Sequence, residues 1–396
     1  MSSRAVRRSS LLGSVLAVAA GACLVLSACS SSSSSSSSAS AAGSSGAASA
    51  SATGSSGSAG SASLDQLQSS VAKLETPPAK ISPTTPLTAK PASGKLVVYM
   101  SCNIECTIEG DGVKQAAADV GWNFKQFIYQ ITDPSTLVSA MQQALQLHPD
   151  VVITGALPYV TWQSVVPAYK AAGVPIVTYS AGAPDQAPFL GEVLGLPQYH
   201  QYGVDLADWF IVDSNGKGHA VITGSTNLSG LNAAVQGFES EVAAKCAGCK
   251  ITYQNLSVVA LNSGGSIPAV VAAVQRDPSI NYAISPNGFF FNGLAAKLGS
   301  LGLSQKVKIA GVYGTATDLA NVKAGTEAAW MNFSVTQIGW QALDIALRHA
   351  QGMPLDPGDP WPPAQLLVHG GDFTVSNSTD VPADYATQFK ALWKVS

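Results

Sequence analysis

Charged side chains are scarce in this chain. Aspartate, glutamate, lysine and arginine make up 11% of its 396 residues, and the formal net charge is −3. The basic residues form no cluster in the sequence, which argues against a nucleic-acid partner. With so few charges, a binding cleft would rely mainly on hydrogen bonds and aromatic faces.

The sequence also lacks the local motifs of common enzymes. It has no phosphate-binding loop, no zinc-protease helix and no dinucleotide fingerprint. A nucleophile elbow is absent as well, because the segment Gly224–Asn227 has no final glycine at the required spacing. The five histidines are scattered, and we assign none of them to a metal. We therefore predict that the chain is not an enzyme and uses no cofactor.

Cysteine is uncommon too, with six in the chain. Two lie in the N-terminal segment, and the other four allow three pairings. These four stand in close pairs, Cys102 with Cys106 and Cys246 with Cys249, which favours two local disulfides. A redox pair or a zinc site is the weaker interpretation, since no histidine pair flanks either set.

Basic residues and an apolar stretch open the chain. Three arginines, the last of them Arg8, precede an apolar stretch from Leu11 to Leu26 that is short and early for a membrane span. The stretch ends in Leu26-Ser27-Ala28-Cys29, which resembles the lipobox of bacterial lipoproteins. We predict a signal peptide over residues 1–29 and a lipid anchor on Cys29, which would hold the protein outside the cytoplasm on the cell membrane. An ordinary signal peptide with an incidental cysteine is the alternative, and the sequence leaves the export route open.

The segment 30–94 is rich in serine, alanine and glycine and then in proline. Small polar residues bury too little apolar surface to fold, and prolines stiffen an extended chain. We predict a disordered tether over this whole segment, spanning about 45 Å as a flexible chain.

From Lys95 onward, short apolar runs alternate with helical periodicity. The run Leu96–Met100 predicts a buried parallel strand, and the polar loop Ser101–Glu109 and a helix follow it. The alternation repeats in two halves of about a hundred residues each, so we predict an α/β fold of two doubly wound parallel-sheet lobes. Ligands of such sheets sit at the carboxyl ends of the strands, which makes the loop Ser101–Glu109 the first candidate site.

Several segments, taken in order, resemble the sugar-type periplasmic binding proteins, the group of the ribose-binding protein that serves ABC importers. The resemblance covers roughly Lys95–Pro354. Its landmarks are Gly110–Ala116, His148–Ile153, Ala172–Thr178, Val235–Phe238, Pro286–Gly288 and Gln337–Gly339. The resemblance implies a type I periplasmic binding fold, whose two lobes close around a solute on a hinge.

The resemblance also implies a domain division and partners. The N-terminal lobe would comprise residues 95–194 and 334–364, and the C-terminal lobe residues 195–333 and 365–396. The protein would be a monomer that carries a small-molecule solute to the membrane subunits of an ABC permease. The alternative is a receptor of the same fold that serves a sensor kinase or a chemotaxis system. Transcriptional repressors share this core, but the lipobox and the missing helix-turn-helix before Lys95 argue against them.

The strand ends and the resemblance together give the candidate ligand-binding residues. They are Tyr99, Asn103, Glu105, Tyr179, Ser180, Asn232, Asn287, Tyr313 and Phe333. The family's charged sugar clamps are missing, since its Asp-Arg pair falls on Ser180-Ala181 and a late aspartate falls on Tyr313. The pocket would therefore suit a sugar-like, less polar or partly aromatic solute. Turn formation or helix capping remains the alternative role of Asn103, Glu105 and Asn287.

Overall fold

A computed structural model describes residues 58–102 and 106–395 of the protein. The predicted signal peptide and Cys29 lie outside the described residues, as do Asn103 and Glu105. The strands are β1 Leu96–Cys102, β2 Asn123–Tyr129, β3 Val151–Gly155, β4 Ile176–Tyr179, β5 Phe189–Val193, β6 His219–Gly224, β7 Lys250–Asn255, β8 Tyr282–Ser285, β9 Lys308–Val312, β10 Ala329–Phe333 and β11 Ala364–Val368. The helices are α1 Ser58–Leu74, α2 Thr107–Asp119, α3 Pro134–Leu145, α4 Val166–Ala172, α5 Leu196–Asp213, α6 Ser229–Lys245, α7 Val258–Asn262, α8 Ser266–Arg276, α9 Leu294–Ser300, α10 Ala316–Ala324, α11 Val335–Ala350 and α12 Tyr385–Leu392.

The strands form two sheets. The first has the order β2-β1-β3-β4-β5 and is parallel throughout. The second has the order β11-β10-β9-β8-β6-β7, in which β11 alone runs antiparallel. Val97, Val98 and Met100 of β1 are fully buried, as expected of a central strand in a sheet covered on both faces. The predicted fold of two doubly wound lobes is confirmed.

Each lobe contains a helix crossing that requires glycine. Helices α2 and α11 cross at Gly112 and Gly339, where a Cβ on either residue would overlap the backbone of the other helix. Helices α5 and α6 cross at Gly203 and Gly237 in the same way. Three of these four glycines fall in the landmark segments named above, so those landmarks reflect close helix packing.

The prediction of a disordered tether is wrong for residues 58–94. Helix α1 packs on α5 and β11, and its Leu67 and Val71 are buried there. These two residues are four apart and therefore share one face of the helix. Composition alone missed the helix because an existing apolar surface can stabilise a segment whose own helical tendency is weak.

Residues 75–94, which we call the strap, run from α1 to β1. The backbone N–H of Leu87 donates to Leu392 O at 3.0 Å. The backbone N–H of Thr85 donates to the Asp356 carboxylate at 2.8 Å, and Thr85 O accepts from Arg348 Nη2 at 2.7 Å. Backbone hydrogen bonds therefore hold the strap in place. Its prolines favour an extended conformation.

The predicted division of the C-terminal residues is also partly wrong. Strand β11 joins the second sheet, as the assignment of residues 365–396 to the C-terminal lobe requires. Helix α12, however, packs on α11, with the rings of Trp340 and Trp393 stacked at 5.3 Å between centroids. Since α11 packs on α2, β4 and β5 of the first lobe, the end of the chain returns to that lobe.

None of the helices in residues 58–102 and 106–395 has the length and hydrophobicity that would let it span a bilayer.

Candidate functional site

The carboxyl ends of strands from both sheets meet at one cavity. Its volume is about 110 Å³, well above the roughly 10–15 Å³ that one enclosed water molecule needs. The lining residues are Cys102, Cys106, Glu109, Ile131, Ala156, Tyr179, Ser180, Tyr199, Leu228, Ser229, Gly230, Leu231, Val258, Asn262, Asn287, Phe289, Phe290 and Tyr313. The cavity thus has walls from both lobes, at the position where doubly wound sheets bind ligands.

Three lining residues follow directly on strands and have a left-handed backbone. The φ angles of Ala156, Ser180 and Tyr313 are 63°, 52° and 59°. The N–H of each donates to a carbonyl of the neighbouring chain segment, at 3.1 Å, 3.2 Å and 2.9 Å. Non-glycine residues in this region cost on the order of 1–3 kcal/mol each, and such strain clusters at functional sites. These turns therefore set the direction of the chain after each strand, and they place the three residues in the cavity wall.

Tyr99 and Tyr179 form a hydroxyl pair on the first-lobe side. Their Oη atoms are 2.8 Å apart, and Tyr99 Oη donates to Cys106 O at 2.8 Å. Because a hydroxyl has one proton, Tyr179 is the donor within the pair. Burial raises the pKa of both phenols well above their ordinary value of 10.0. Tyr179 lines the cavity, whereas Tyr99 is fully buried behind it and positions it.

An aromatic stack forms the second-lobe wall. Tyr313 stacks on Phe333 with centroids 5.2 Å apart, and Phe333 stacks in turn on Tyr202 at 5.5 Å. Tyr313 lines the cavity, while Phe333 is buried behind it. The stacked Phe333 ring thus holds the Tyr313 ring in position at the cavity.

Asn287 both caps a short turn and lines the cavity. Its Oδ1 accepts from the backbone N–H of Phe289 at 3.0 Å, which begins the 3-10 turn Gly288–Phe291. Within the described part of the chain, its amide nitrogen donates no hydrogen bond. The two alternatives for Asn287, cap and ligand contact, are therefore compatible.

The structure brings together four of the predicted site residues, Tyr179, Ser180, Asn287 and Tyr313. Tyr99 and Phe333 lie behind the wall. Asn232 lies in the first turn of α6 and does not line the cavity. The residues that line it here are Leu228–Leu231, at the start of the helix.

Two lining residues were not named among the candidate ligand-binding residues, although one of them, Glu109, ends the candidate loop Ser101–Glu109. Glu109 lies near the start of α2 and is 9% exposed. Tyr199 lies in the first turn of α5, and its Oη is 3.2 Å from Ser180 Oγ. Both stand inside helices, and Tyr199 lies beyond the loops after strands to which the search was confined. Their position in first helical turns that begin at the cavity was the available signal.

The structure joins Cys102 to Cys106 and Cys246 to Cys249. The first bridge forms part of the cavity wall, and the second closes the end of α6 against β7. Among the described residues, no group of three or more histidine, cysteine, aspartate or glutamate side chains could hold a metal ion.

Known proteins share this fold. Residues 106–354 match the family model described as a periplasmic binding protein domain. GanP, a glucose-galactose binding protein from Geobacillus stearothermophilus, has a TM-score of 0.61 at 18% identity, over 70% of this chain and 98% of its own. An ABC transporter solute binding protein from Agrobacterium vitis, bound with α-D-tagatopyranose, has a TM-score of 0.60 at 18% identity, over 70% of this chain and 95% of its own.

A third similar structure is a chain of the XylFII–LytSN complex. Its TM-score is 0.60 at 16% identity, over 71% of this chain and 100% of its own. A comparison with curated proteins finds no match. At these identities the solved structures show a shared fold, and the family model spans well over half of the sequence. The resemblance seen in the sequence is thereby confirmed, and the chain belongs to the family of the periplasmic binding protein domain.

Proposed function

We propose that this protein is an extracytoplasmic, lipid-anchored receptor that captures a small molecule between its lobes and delivers it to an ABC importer. One observation carries the proposal: a single cavity lined from the strand ends of both sheets. A solute held there contacts both lobes, so its binding favours the closed arrangement over the open one. The protein acts as a monomer and catalyses no reaction on the solute.

We infer a sugar-like or less polar solute. Similar structures are named for binding glucose and galactose or contain a bound tagatopyranose. The cavity of this chain offers Ser180, Asn287 and Tyr199 as hydrogen-bonding groups, and Tyr313 as an aromatic face. Such a lining pairs a few hydroxyl or amino groups while an apolar ring face packs on tyrosine.

A receptor for a signalling partner is the second candidate. It is favoured by the likeness to a chain held in the XylFII–LytSN complex, because a protein of this fold can evidently serve in an assembly with a second protein. The two functions share the solute site and differ in what the closed lobes contact. Deleting the gene and measuring both uptake of the solute and the transcriptional response to it would separate them: loss of uptake supports the importer role, and loss of response alone supports the signalling role.

The anchor is tested by a single substitution. Replacing Cys29→Ser removes the thiol that takes the lipid, so we expect the protein to leave the membrane fraction. The measurement is the distribution of the protein between membrane and soluble fractions after a carbonate wash. A Cys23→Ser variant is the matched control and should remain in the membrane fraction, because Cys23 lies before the cleavage site. A Cys29→Ser protein that stays on the membrane contradicts the lipid anchor.

A further inference from the structure

The hydrogen bonds of Tyr99 and Tyr179 run in one direction. Tyr99 Oη lies 2.8 Å from the backbone carbonyl oxygen of Cys106, and a carbonyl oxygen only accepts. The single proton of Tyr99 is therefore used on Cys106. The proton between the two phenol oxygens, which are also 2.8 Å apart, then belongs to Tyr179. Both phenolic protons are thus held inside the protein wall.

The reverse direction is disfavoured by the contact that it would create. If Tyr99 donated to Tyr179, Tyr99 Oη and Cys106 O would face each other at 2.8 Å with no proton between them. Tyr99 is fully buried, and the repulsion of two such oxygens is strong in surroundings of low dielectric constant. This repulsion keeps the Tyr99 proton on the side of Cys106.

Glycines allow the two rings to sit close to the backbone. A Cβ on Gly110 would lie 2.6 Å from the Tyr99 ring. A Cβ on Gly155 would lie 2.5 Å from the Tyr179 ring. The rings are nearly parallel, with 14° between their planes and 6.2 Å between their centroids. Packing therefore holds both hydroxyl groups in the positions that the chain of hydrogen bonds requires.

Tyr179 consequently meets the cavity as an acceptor. It lines the cavity, as does Cys106 at the other end of the hydrogen-bond chain. A phenol oxygen that has donated its proton keeps a lone pair for an incoming hydrogen bond. A solute group that meets this oxygen must supply its own proton, as a hydroxyl or amino group does and an ether oxygen does not.

Asn287 gives the second lobe the opposite preference. Its side-chain oxygen accepts the N–H of Phe289 at 3.0 Å, which identifies the oxygen and the nitrogen of the amide. The amide nitrogen donates to no group within residues 58–102 and 106–395, so its protons are available at the cavity that Asn287 lines. The first lobe therefore offers an acceptor to the solute, and the second lobe offers a donor.

We propose that Tyr99 makes the site selective for a solute with a donating hydroxyl or amino group on its first-lobe side and an accepting oxygen on its second-lobe side. The donating group binds Tyr179 Oη, and the accepting oxygen binds the Asn287 amide. Tyr99 is a positioning residue, because it takes up the Tyr179 proton without touching the solute. This inference rests on the proposed function, since it concerns the ligand of the same cavity. A solute that offers Tyr179 only an acceptor should lose about five- to 150-fold in affinity, because an oxygen is left unpaired in the closed cleft.

Sugar analogues test the donor requirement. The purified full chain is titrated by calorimetry with D-glucose and D-galactose, and the tighter-binding sugar is compared with its monodeoxy and monodeoxyfluoro analogues. Fluorine accepts a weak hydrogen bond but never donates one. At one ring position we expect both analogues to bind about five- to 150-fold more weakly than the parent sugar, and within about threefold of each other. In Tyr179→Phe, the deoxy analogue at this position should bind within about threefold of the parent sugar.

Tyr99→Phe tests the positioning role. This change removes the oxygen that takes the Tyr179 proton and leaves that proton free to turn toward the solute. At the same ring position, the fluoro analogue should now bind about two- to tenfold more tightly than the deoxy analogue. A purely structural effect would weaken both analogues alike, so their ratio reports on the proton.

Tyr169→Phe is the matched control. It also removes a buried phenol hydroxyl, which donates to Met141 O at 2.8 Å, but Tyr169 is not part of the cavity lining. The ratio between the fluoro and deoxy analogues should stay as in wild type. Thermal unfolding of each variant establishes that it is folded.

The outcomes separate this inference from the proposed function. A fluoro analogue that matches the parent sugar at every ring position overturns the inference and leaves a sugar receptor, and so does an unchanged ratio in a folded Tyr99→Phe. If Tyr99→Phe does not fold, a donor preference that survives in Tyr179→Phe overturns the inference. A folded wild-type chain that binds neither sugar contradicts the proposed function and this inference with it.

Discussion

Glu327 is a buried carboxyl group that lies outside the cavity and the strap. It is 4% exposed, and it accepts hydrogen bonds from Trp330 Nε1 and Asn321 Nδ2 at 2.7 Å and 2.8 Å. Burial, and after it the negative charge of Asp318, raises the pKa of Glu327 from 4.5 to about 8. The folded protein therefore keeps a proton on this side chain over a pH range in which the unfolded chain has released it.

This difference predicts a loss of stability in mildly alkaline solution. The contribution of the neutral carboxyl group is complete below pH 4.5 and is lost as the pH rises through the folded pKa of about 8, because ionisation favours the unfolded chain in that window. We expect the free energy of unfolding to fall between about pH 5 and pH 8, and to fall less in Glu327→Gln. Urea titrations at the two pH values give the measurement, with the exposed Asp119→Asn as control. Equal pH dependence in wild type and Glu327→Gln would show that this group is not the cause.

At the scale of elements, the crossing of α2 and α11 sets how the first lobe packs. Gly112→Ala or Gly339→Ala places a methyl group against backbone that cannot move aside. We expect each to destabilise the protein by about 1–3 kcal/mol, as overpacking does. The measurement is chemical unfolding followed by tryptophan fluorescence.

Gly299→Ala provides the matched control for these two variants. Gly299 lies in the exposed last turn of α9, where a Cβ would make only a 3.4 Å contact with Ser304 Oγ. Alanine is the better helix former by about 1 kcal/mol, so this variant should be neutral or slightly stabilising. Equal destabilisation by Gly299→Ala and Gly112→Ala would contradict the account of the crossing.

The elements that the sequence predicted were those with a strong internal pattern. Apolar runs such as Leu96–Met100 give buried strands wherever helices cover both faces of the sheet. Helix α1 has a helical pattern in Leu64, Leu67, Val71 and Leu74, but its serine-rich surroundings obscured it. Both α1 and α12 are stabilised by surfaces built from distant parts of the chain, α1 by α5 and α12 by Trp340 of α11. Their existence depends on tertiary packing that a local reading does not contain.

The sequence predicted part of the candidate site. The rule that ligands bind at strand ends pointed to Tyr179, Asn287 and Tyr313, and the structure places all three on the cavity wall. It did not distinguish Tyr99, which lies inside β1 and is covered by the residues after the strand. Which aromatic side chain reaches the cavity depends on strand register and on the turn after each strand, and neither is fixed by the sequence around it.

At the scale of the whole molecule, the strap adds a connection that the predicted hinge did not include. It begins at Glu75, whose carbonyl accepts from Gln365 Nε2 at 2.8 Å, and it reaches the first lobe where Ala92 O accepts from Trp122 Nε1 at 2.9 Å. Between these points it contacts Arg348 of α11. The strap therefore ties the chain to both lobes before the first strand begins.

The central claim is that one solute contacts both lobes at the strand ends. Ser180 belongs to the first lobe, and Asn287 and Tyr313 belong to the second, so a solute held between them loses contacts when either side is truncated. Removing one hydrogen-bonding partner in a closed cleft costs about 1–3 kcal/mol, which is about a five- to 150-fold loss of affinity. Tyr313→Ala should cost as much or more through the lost ring face, and Tyr313→Phe should cost less.

Calorimetric titration of wild type, Ser180→Ala, Asn287→Ala and Tyr313→Ala with the tightest-binding sugar or amino sugar tests this claim most directly. Gln305→Ala, exposed at the opposite edge of the second sheet, is the control, and thermal unfolding of each variant establishes that it is folded. The account predicts weaker binding for variants in both lobes and unchanged binding for Gln305→Ala. Wild-type affinity in all three cavity variants would contradict it.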